Sequence, residues 1–486
     1  MLEVELKFQI PASHQEKLYQ LFLNKNARLI SLYAKYYDTP ERHLAQQKIS
    51  LRQRLEDNHW IQTLKAPCNH SLQRFELEKD LGELKDPTLD LKIYPSNSQA
   101  KQLLQNTLGK QAKNLIVQYE TVVQRLVHVI HFNRSKIEVS LDRGEIRHNN
   151  QKLPIYEIEF ELKQGSIQDL IKFIHPWVQR YHLWLDVRSN AQRGDLLAQD
   201  LTIPPAQFAT PLQLNSQDST DSALKQMINN ALQHLLPNAA TIAAEQYNSE
   251  HVHQARVAMR RLRSALRVFD DWSDEVNPQW QEQLTGLFRQ LGATRDRDAL
   301  NEGLLPQLQQ AGGPYIELTN ITKENQIAVD ESLRCSYFVE LILDLLQFVH
   351  RPSKKQKKSG LKKDIAKKLQ KLHHQICKDA EQFLDLDISS RHRTRKRVKR
   401  LRYCVEFVAS LYPNKDVKRY LKDLKPAQES LGQYNDLMVA EVMFQNIVKR
   451  KQKAWFAVGW IANEKKYILQ QAKQHLEDYS KTDTFW

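Results

Sequence analysis

The chain opens on alternation. In Glu3-Val4-Glu5-Leu6-Lys7-Phe8 the charged side chains fall on one face of an extended strand and Val4, Leu6 and Phe8 on the other. The pattern recurs in Leu51-Arg52-Gln53-Arg54-Leu55, Arg74-Phe75-Glu76-Leu77-Glu78, Lys136-Ile137-Glu138-Val139-Ser140-Leu141-Asp142 and Glu157-Ile158-Glu159-Phe160-Glu161-Leu162-Lys163. One such strand reads as a solvated edge. Five of them predict a shared charged interior. Further strands are predicted at 36–40, 60–65, 119–131 and 184–188, with turns at Asn133-Arg134 and Arg143-Gly144. Helices are expected over 11–23, with Ser13 as N-cap, and over 168–181. Roughly eight strands with few helices fit a closed antiparallel barrel.

The pattern changes after a Pro-, Gln- and Ser-rich stretch that reads as a linker. Beyond it the apolar period is helical almost to the end. The expected fold is therefore an α+β multidomain chain. Residues 1–205 form an eight-stranded antiparallel β-barrel tunnel, 206–216 a linker and 217–486 an all-α helical domain. In that second part His253, Arg256, Arg260, Arg263 and Arg267 line one helical face, opposite Val257, Leu262 and Phe269. The same spacing returns in His392, Arg395, Lys399 and Arg402, which predicts two related halves whose basic helices wall one positive groove.

Charge sharpens the picture. The chain of 486 residues carries a net +14, most of the excess after residue 200, and this directs attention to polyanionic partners. Cys68, Cys335, Cys377 and Cys404 are widely spaced and suggest neither a zinc site nor a disulfide framework. No apolar run is long enough for a bilayer and no basic-then-apolar leader is present, so a cytoplasmic location without membrane insertion is expected. No phosphate-loop, zinc-protease or serine-hydrolase motif occurs.

A dry interior holding Glu3, Glu5, Glu159, Glu161, Lys7, Arg52 and Arg54 would be unstable, because each unpaired buried ion costs several kcal/mol. It is stable when wet, with cations on the carboxylates and anions on the bases. Glutamate oxygens suit Mg²⁺ or Mn²⁺, and guanidinium forks suit phosphate.

At this point the residues resemble a known family. Glu3-Val4-Glu5-Leu6-Lys7 is similar to the E-x-E-x-K signature of the CYTH domain, the triphosphate tunnel metalloenzymes. Tyr37-Asp38-Thr39-Pro40, Leu51-Arg52-Gln53-Arg54, Thr63-Leu64-Lys65, Arg74 with Glu76, Arg125, Leu141-Asp142-Arg143-Gly144 and Glu157 to Leu162 extend the resemblance over about 1–205. It implies an eight-stranded tunnel with Glu3, Glu5, Glu159 and Glu161 as metal ligands and Lys7, Arg52, Arg54, Lys65, Arg74 and Arg125 as phosphate contacts. Glu3, Glu5, Lys7 and Glu76 become the catalytic group, and Glu76 and Asp142 hold clamps or metal waters. One departure stands out. The family's Ser-Lys near the domain end is Ser189-Asn190 here, and Arg193 is the expected substitute contact.

The second half resembles the CHAD domain through His253, Arg256, Arg260, Arg263, the Arg295-Asp296-Arg297-Asp298 stretch, Arg395, Lys399, Arg402 and Tyr403. His253, Arg256, Arg260, Arg263, His392, Arg395, Lys399 and Arg402 are the expected polyphosphate-binding residues. The combined expectation is an Mg²⁺-dependent inorganic triphosphatase (Mn²⁺ as an alternative) carrying a polyphosphate-binding domain. Other readings are a thiamine or nucleoside triphosphatase, an ATP cyclase, and a non-enzymatic polyphosphate-binding protein with a vestigial tunnel. Nucleic acid ranks last, since no recognition helix or aromatic platform is evident.

Overall fold

The computed structural model describes residues 2–25, 27–67, 73–95, 98–292, 303–316, 328–353, 360–449 and 451–486. It comprises an N-terminal antiparallel β-sheet domain of nine strands and a C-terminal all-helical domain.

The sheet is built from β1 (Leu2–Gln9), β2 (Arg28–Asp38), β3 (Ser50–Glu56), β4 (His59–Pro67), β5 (Gln73–Gly82), β6 (Ile116–Phe132), β7 (Ser135–His148), β8 (Gln151–Gln164) and β9 (Trp184–Leu185). Their order is β5-β4-β3-β2-β6-β7-β8-β1-β9, and β1 also pairs with β5 through Leu2↔Phe75, Glu3↔Arg74 and Val4↔Gln73. Alternation fixes which way each strand faces. On β1, Leu6 and Phe8 are buried outside the sheet, where Phe8 meets Phe160 edge-on at 5.7 Å and Phe160 meets Trp177 at 5.6 Å. Trp177 belongs to α4 (Ile167–Tyr181), whose apolar face buries Leu170, Ile171, Ile174 and Val178 and whose first turn is capped by Ser166. Over β3 and β4 a second outer core gathers Leu51 and Leu64 with Tyr94, Leu104 and Leu108. With its apolar faces covered outside, the sheet turns its charged faces inward.

Three expectations need correction. Arg143-Gly144 is not a turn, because β7 continues to His148. Gly144 is required there for close approach: a Cβ at this position would lie 2.1 Å from the Val122 carbonyl oxygen. Helix α1 (Ala12–Asn24) starts one residue after Pro11 without a side-chain cap, so Ser13 lies inside it. Finally, β2 begins well before residue 36, and its inward positions Ile30, Leu32, Ala34 and Tyr36 are apolar. They form a core with Tyr119, Val123, Ile146 and Ile155, against which Ala191 and Leu197 of the short helix α5 (Asn190–Leu197) and the adjoining Ala198 pack. The inward face of the sheet is therefore charged over only part of its length, and α5 packs against the apolar part.

The chain forms two compact units. The first gathers Met1–Gln207 with Leu236–His251 and Leu333–Arg351, and the second Phe208–Leu235, Val252–Ser332 and Pro352–Trp486. The helix Ser336–His350 joins the first unit because it is too apolar to stand in water, burying Phe338, Val339, Ile342, Leu345, Leu346 and others. Gln168 of α4 donates to the His350 carbonyl at 3.3 Å, and His175 of α4 lies 3.4 Å from Asp344. Among the described residues, no helix is long and apolar enough to cross a membrane.

Candidate active site

Strand register writes the charged interior as rows. Glu5 lies opposite Glu161, and Glu161 opposite Glu138. Lys7 lies opposite Glu159, and Glu159 opposite Ser140. Gln9 lies opposite Glu157, Glu157 opposite Asp142, and Asp142 opposite Arg125. Across the sheet, Lys65 opposes Glu76, while Arg52 and Arg54 face the same way from β3. These side chains border a cavity of about 1030 Å³ whose lining includes Glu5, Lys7, Arg52, Arg54, Lys65, Glu76, Arg125, Glu159 and Glu161. Nine of the expected site residues thus come together.

The bases are held by carboxylates. Arg125 donates from Nε and Nη2 to both oxygens of Asp142, at 2.6 and 2.5 Å, and from Nη2 to Glu159 at 2.6 Å. Burial works against its charge, but Asp142 and Glu159 outweigh it and push its pKa further up. Glu159 is the converse: burial opposes ionisation, yet Arg125, Lys7 and Lys65 hold its carboxyl below the ordinary value. Lys65 pairs with Glu76 at 3.0 Å, and Arg54 with Glu56 at 3.0 Å. Arg54 is less securely charged. Burial first, then Arg52 and Arg125, lower its pKa. The buried Nε groups of Arg52 and Arg54 have no acceptor among the described residues. A buried charged donor left unpaired is costly, and both residues line the cavity.

Other expected residues behave differently. The side chains of Glu3 and Arg74 fall outside the described residues, although their strands pair in register. Lys7 is turned onto Glu157, 3.2 Å away, and onto the Arg188 carbonyl. Arg193 is not a lining residue. It donates to Glu157 at 3.2 Å and to the Pro154 carbonyl at 2.6 Å, while Asn190 donates to Glu157 at 2.6 Å and does line the cavity. Glu157, fully buried, is thus the hub for Lys7, Gln9, Asn190 and Arg193. Sequence reading did not assign Glu157, Glu138 or Lys163 a role, although alternation on β7 and β8 already placed all three on the charged face. Lys163 spans Glu161 at 2.7 Å and Glu138 at 3.4 Å. Asp38 of the Tyr-Asp-Thr-Pro motif is structural: its carboxylate accepts from the backbone of Thr39, Leu44 and Ala45.

The carboxylate oxygens are a hard donor set that fits a divalent ion. Asp142, Glu157 and Glu159 approach within 4.8 Å of one another, but Arg125, Lys7 and Arg193 already stand against them. Glu159 is the one expected ligand in this group; Glu5 and Glu161 lie opposite each other on neighbouring strands, with Lys163 against Glu161.

In the second unit, Arg256, Arg260 and Arg263 of α7 (Ser249–Val268) gather over the Phe288 ring, at 4.4, 5.8 and 5.4 Å from its centre. Phe288 lies on α8 (Gln279–Gln290). Lys399, on the helix Ile388–Val408, faces this group. Burial first, then Arg395, Arg260 and Arg256, depress its pKa to about 6, against a smaller opposing pull from Asp436. The Nε groups of Arg260 and Arg263 are buried without a hydrogen-bond acceptor among the described residues. His253 is partly buried on α7. His392 is exposed, bonded to Asn435 at 3.0 Å, and Arg402 is engaged by Glu406 at 2.8 Å. The Arg295-Asp296-Arg297-Asp298 stretch lies outside the described residues.

The chain is similar in sequence to known proteins. Over 169 residues the chain is 35% identical to an inorganic triphosphatase of Haemophilus influenzae, an alignment covering 33% of this chain and 44% of that protein. The match therefore spans less than half the length of that curated relative. The solved CHAD domain of Ricinus communis is 28% identical, covers 56% of this chain and 96% of its own, and superposes with a TM-score of 0.48. A Hippeastrum protein assigned as an adenylyl cyclase and described as having dominant triphosphatase activity is 15% identical, covers 40% and 96%, and gives 0.28. The CYTH domain model matches residues 1–183 and the CHAD domain model residues 226–445. The chain thus carries a CYTH domain over residues 1–183 followed by a CHAD domain over residues 226–445.

Proposed function

We propose that the CYTH domain hydrolyses inorganic triphosphate to pyrophosphate and phosphate, and that the CHAD domain binds polyphosphate. The observation that carries the first part is the cavity in which Arg52, Arg54, Lys65 and Arg125 face Glu5, Glu159 and Glu161. The pairing of β1 with β5 supports reading the sheet as a closed tunnel, and the repeated basic spacing supports two related CHAD halves. Arg52 and Arg54 bind phosphoryl oxygens with their guanidinium groups. Arg125 and Lys65, each braced by a carboxylate, neutralise charge as the bridging bond breaks. Glu5, Glu159 and Glu161 would hold Mg²⁺ or Mn²⁺, and the bound ion would supply charge neutralisation and a binding place for the attacking water. In the second unit the unpaired Nε groups of Arg260 and Arg263, beside Lys399, favour a polyanion.

The test is phosphate release with Mg²⁺ from inorganic triphosphate, ATP, thiamine triphosphate and long polyphosphate, using wild type and Glu5→Ala. Release from inorganic triphosphate, lost in the variant, supports the proposal. A second reading is favoured by Lys7 and Arg193 being turned onto Glu157: a polyphosphate-binding protein with an inactive tunnel. It predicts no metal-dependent release from any of the four substrates.

A further inference from the structure

We infer that Gln246, which lies in the stretch matched as CHAD, is a positioning residue for the tunnel: through Arg188 it sets the carbonyl that holds the Lys7 ammonium. Lys7 is the only lysine of the E-x-E-x-K strand segment, and its Nζ is fixed by Glu157 and by the Arg188 carbonyl. Glu157 sits within β8 and is rigid. Arg188 sits in the irregular segment between β9 and α5, so its carbonyl is only as well placed as that segment.

Two anchors hold it. The Arg188 guanidinium forks onto Asp186, with Nε 2.9 Å and Nη2 2.8 Å from the carboxylate. Asp186 is two residues away on the same segment, so this fork stiffens the segment. The second anchor comes from elsewhere in the chain: Arg188 Nη1 donates to the Gln246 side-chain oxygen at 2.7 Å. Gln246 follows helix α6 (Thr220–Ala243), and Arg334 secures its turn, donating to the Ala243 carbonyl at 2.5 Å and to Glu245 at 2.6 Å. The Arg334 guanidinium also lies 5.8 Å from the centre of the Trp184 ring, on β9. All these residues belong to the first compact unit. The segment they brace supplies Leu185, Asp186, Val187, Ser189, Asn190 and Ala191 to the cavity lining. The CYTH match ends at residue 183, so the whole brace lies beyond it.

The consequence for triphosphate binding rests on the function proposed above; the consequence for Lys7 does not. Full-length wild type, Gln246→Ala, Gln246→Glu and Arg334→Ala are compared in two assays. The first is the rate at which acetic anhydride labels Lys7, read by mass spectrometry without metal or substrate. The second is kcat and KM for inorganic triphosphate. Gln246→Ala is expected to speed Lys7 labelling and raise KM by about five- to tenfold, less than the full worth of a hydrogen bond to a charged group because Gln246 acts through Arg188, with kcat within about twofold. Gln246→Glu keeps an acceptor for Arg188 and should restore both. Arg334→Ala loosens the same turn without touching Lys7 or Arg188 and should shift labelling in the same direction, which keeps the test alive if Gln246→Ala does not fold. Unchanged Lys7 labelling in Gln246→Ala, or in Arg334→Ala in its place, overturns the inference. Altered labelling in a protein whose wild type releases no phosphate supports the inference while sinking the triphosphatase reading.

Discussion

Arg125 and Asp142 stand directly opposite each other on adjacent antiparallel strands and meet through two parallel hydrogen bonds. This makes Arg125 a fixed cation, because the side chain that would otherwise sample many rotamers is held at both ends of its fork. Asp142 has no direct reach into the cavity lining. Asp142→Asn is therefore expected to lower kcat/KM about tenfold or more, by freeing Arg125 and replacing one charged acceptor, whereas Arg125→Lys should fail to restore activity because an ammonium cannot bridge both oxygens. Steady-state kinetics on the two variants checks this; wild-type values in Asp142→Asn would remove the positioning argument.

Lys163 occupies the oxygens of Glu161 and Glu138. A divalent ion bound at Glu161 competes with that ammonium. Lys163→Met should tighten Mn²⁺ binding to the substrate-free protein by about three- to tenfold, the scale of one partly exposed ion pair. Titration followed by electron paramagnetic resonance measures it. Weaker Mn²⁺ binding in the variant would place the ion elsewhere.

Lys399 gives the CHAD domain a pH signature. Its pKa near 6 in the empty protein leaves it mostly neutral at neutral pH. A polyanion in contact with it raises that pKa, so binding takes up a proton. Uptake means that affinity falls as pH rises, beginning near pH 6 and continuing until the bound-state pKa is passed, by at most tenfold per pH unit. Calorimetry of polyphosphate binding in buffers of different ionisation heat should show net uptake approaching one proton near pH 8. Lys399→Met should abolish it.

Gly194 lies where a Cβ would come within 2.2 Å of the Tyr119 ring, which stacks on Tyr36 at 4.8 Å. Gly194→Ala must displace either α5 or Tyr119. It should cost about 1–3 kcal/mol of stability, visible as a lower thermal midpoint.

The fold was legible where alternation was strict. β1 and β8 carry uninterrupted two-residue periods and were read within a residue or two at most of their ends. β2 was half missed because Ile30, Leu32, Ala34 and Tyr36 face inward and are apolar, which a rule seeking charged inner faces passes over. At the site, the bases of β3, β4 and β6 and the glutamates of β1 and β8 could be named from the same alternation and the resemblance. Arg193 could not be placed. Its place on the short helix α5 says nothing of the buried Glu157 that captures it. Gln246 carries no sequence signal either, since its partner Arg188 is remote in the chain and the contact is a single side-chain bond.

The position of α5 decides the traffic. It packs on the apolar part of the sheet's inward face through Ala191 and Leu197 and the adjoining Ala198, while Arg28, Val129 and Lys163, also lining the cavity, are solvent-accessible. On the proposed triphosphatase reading, substrate enters and both fragments leave by the side that Arg28, Val129 and Lys163 line, and pyrophosphate, the larger and more highly charged, is the product that obstructs the next encounter.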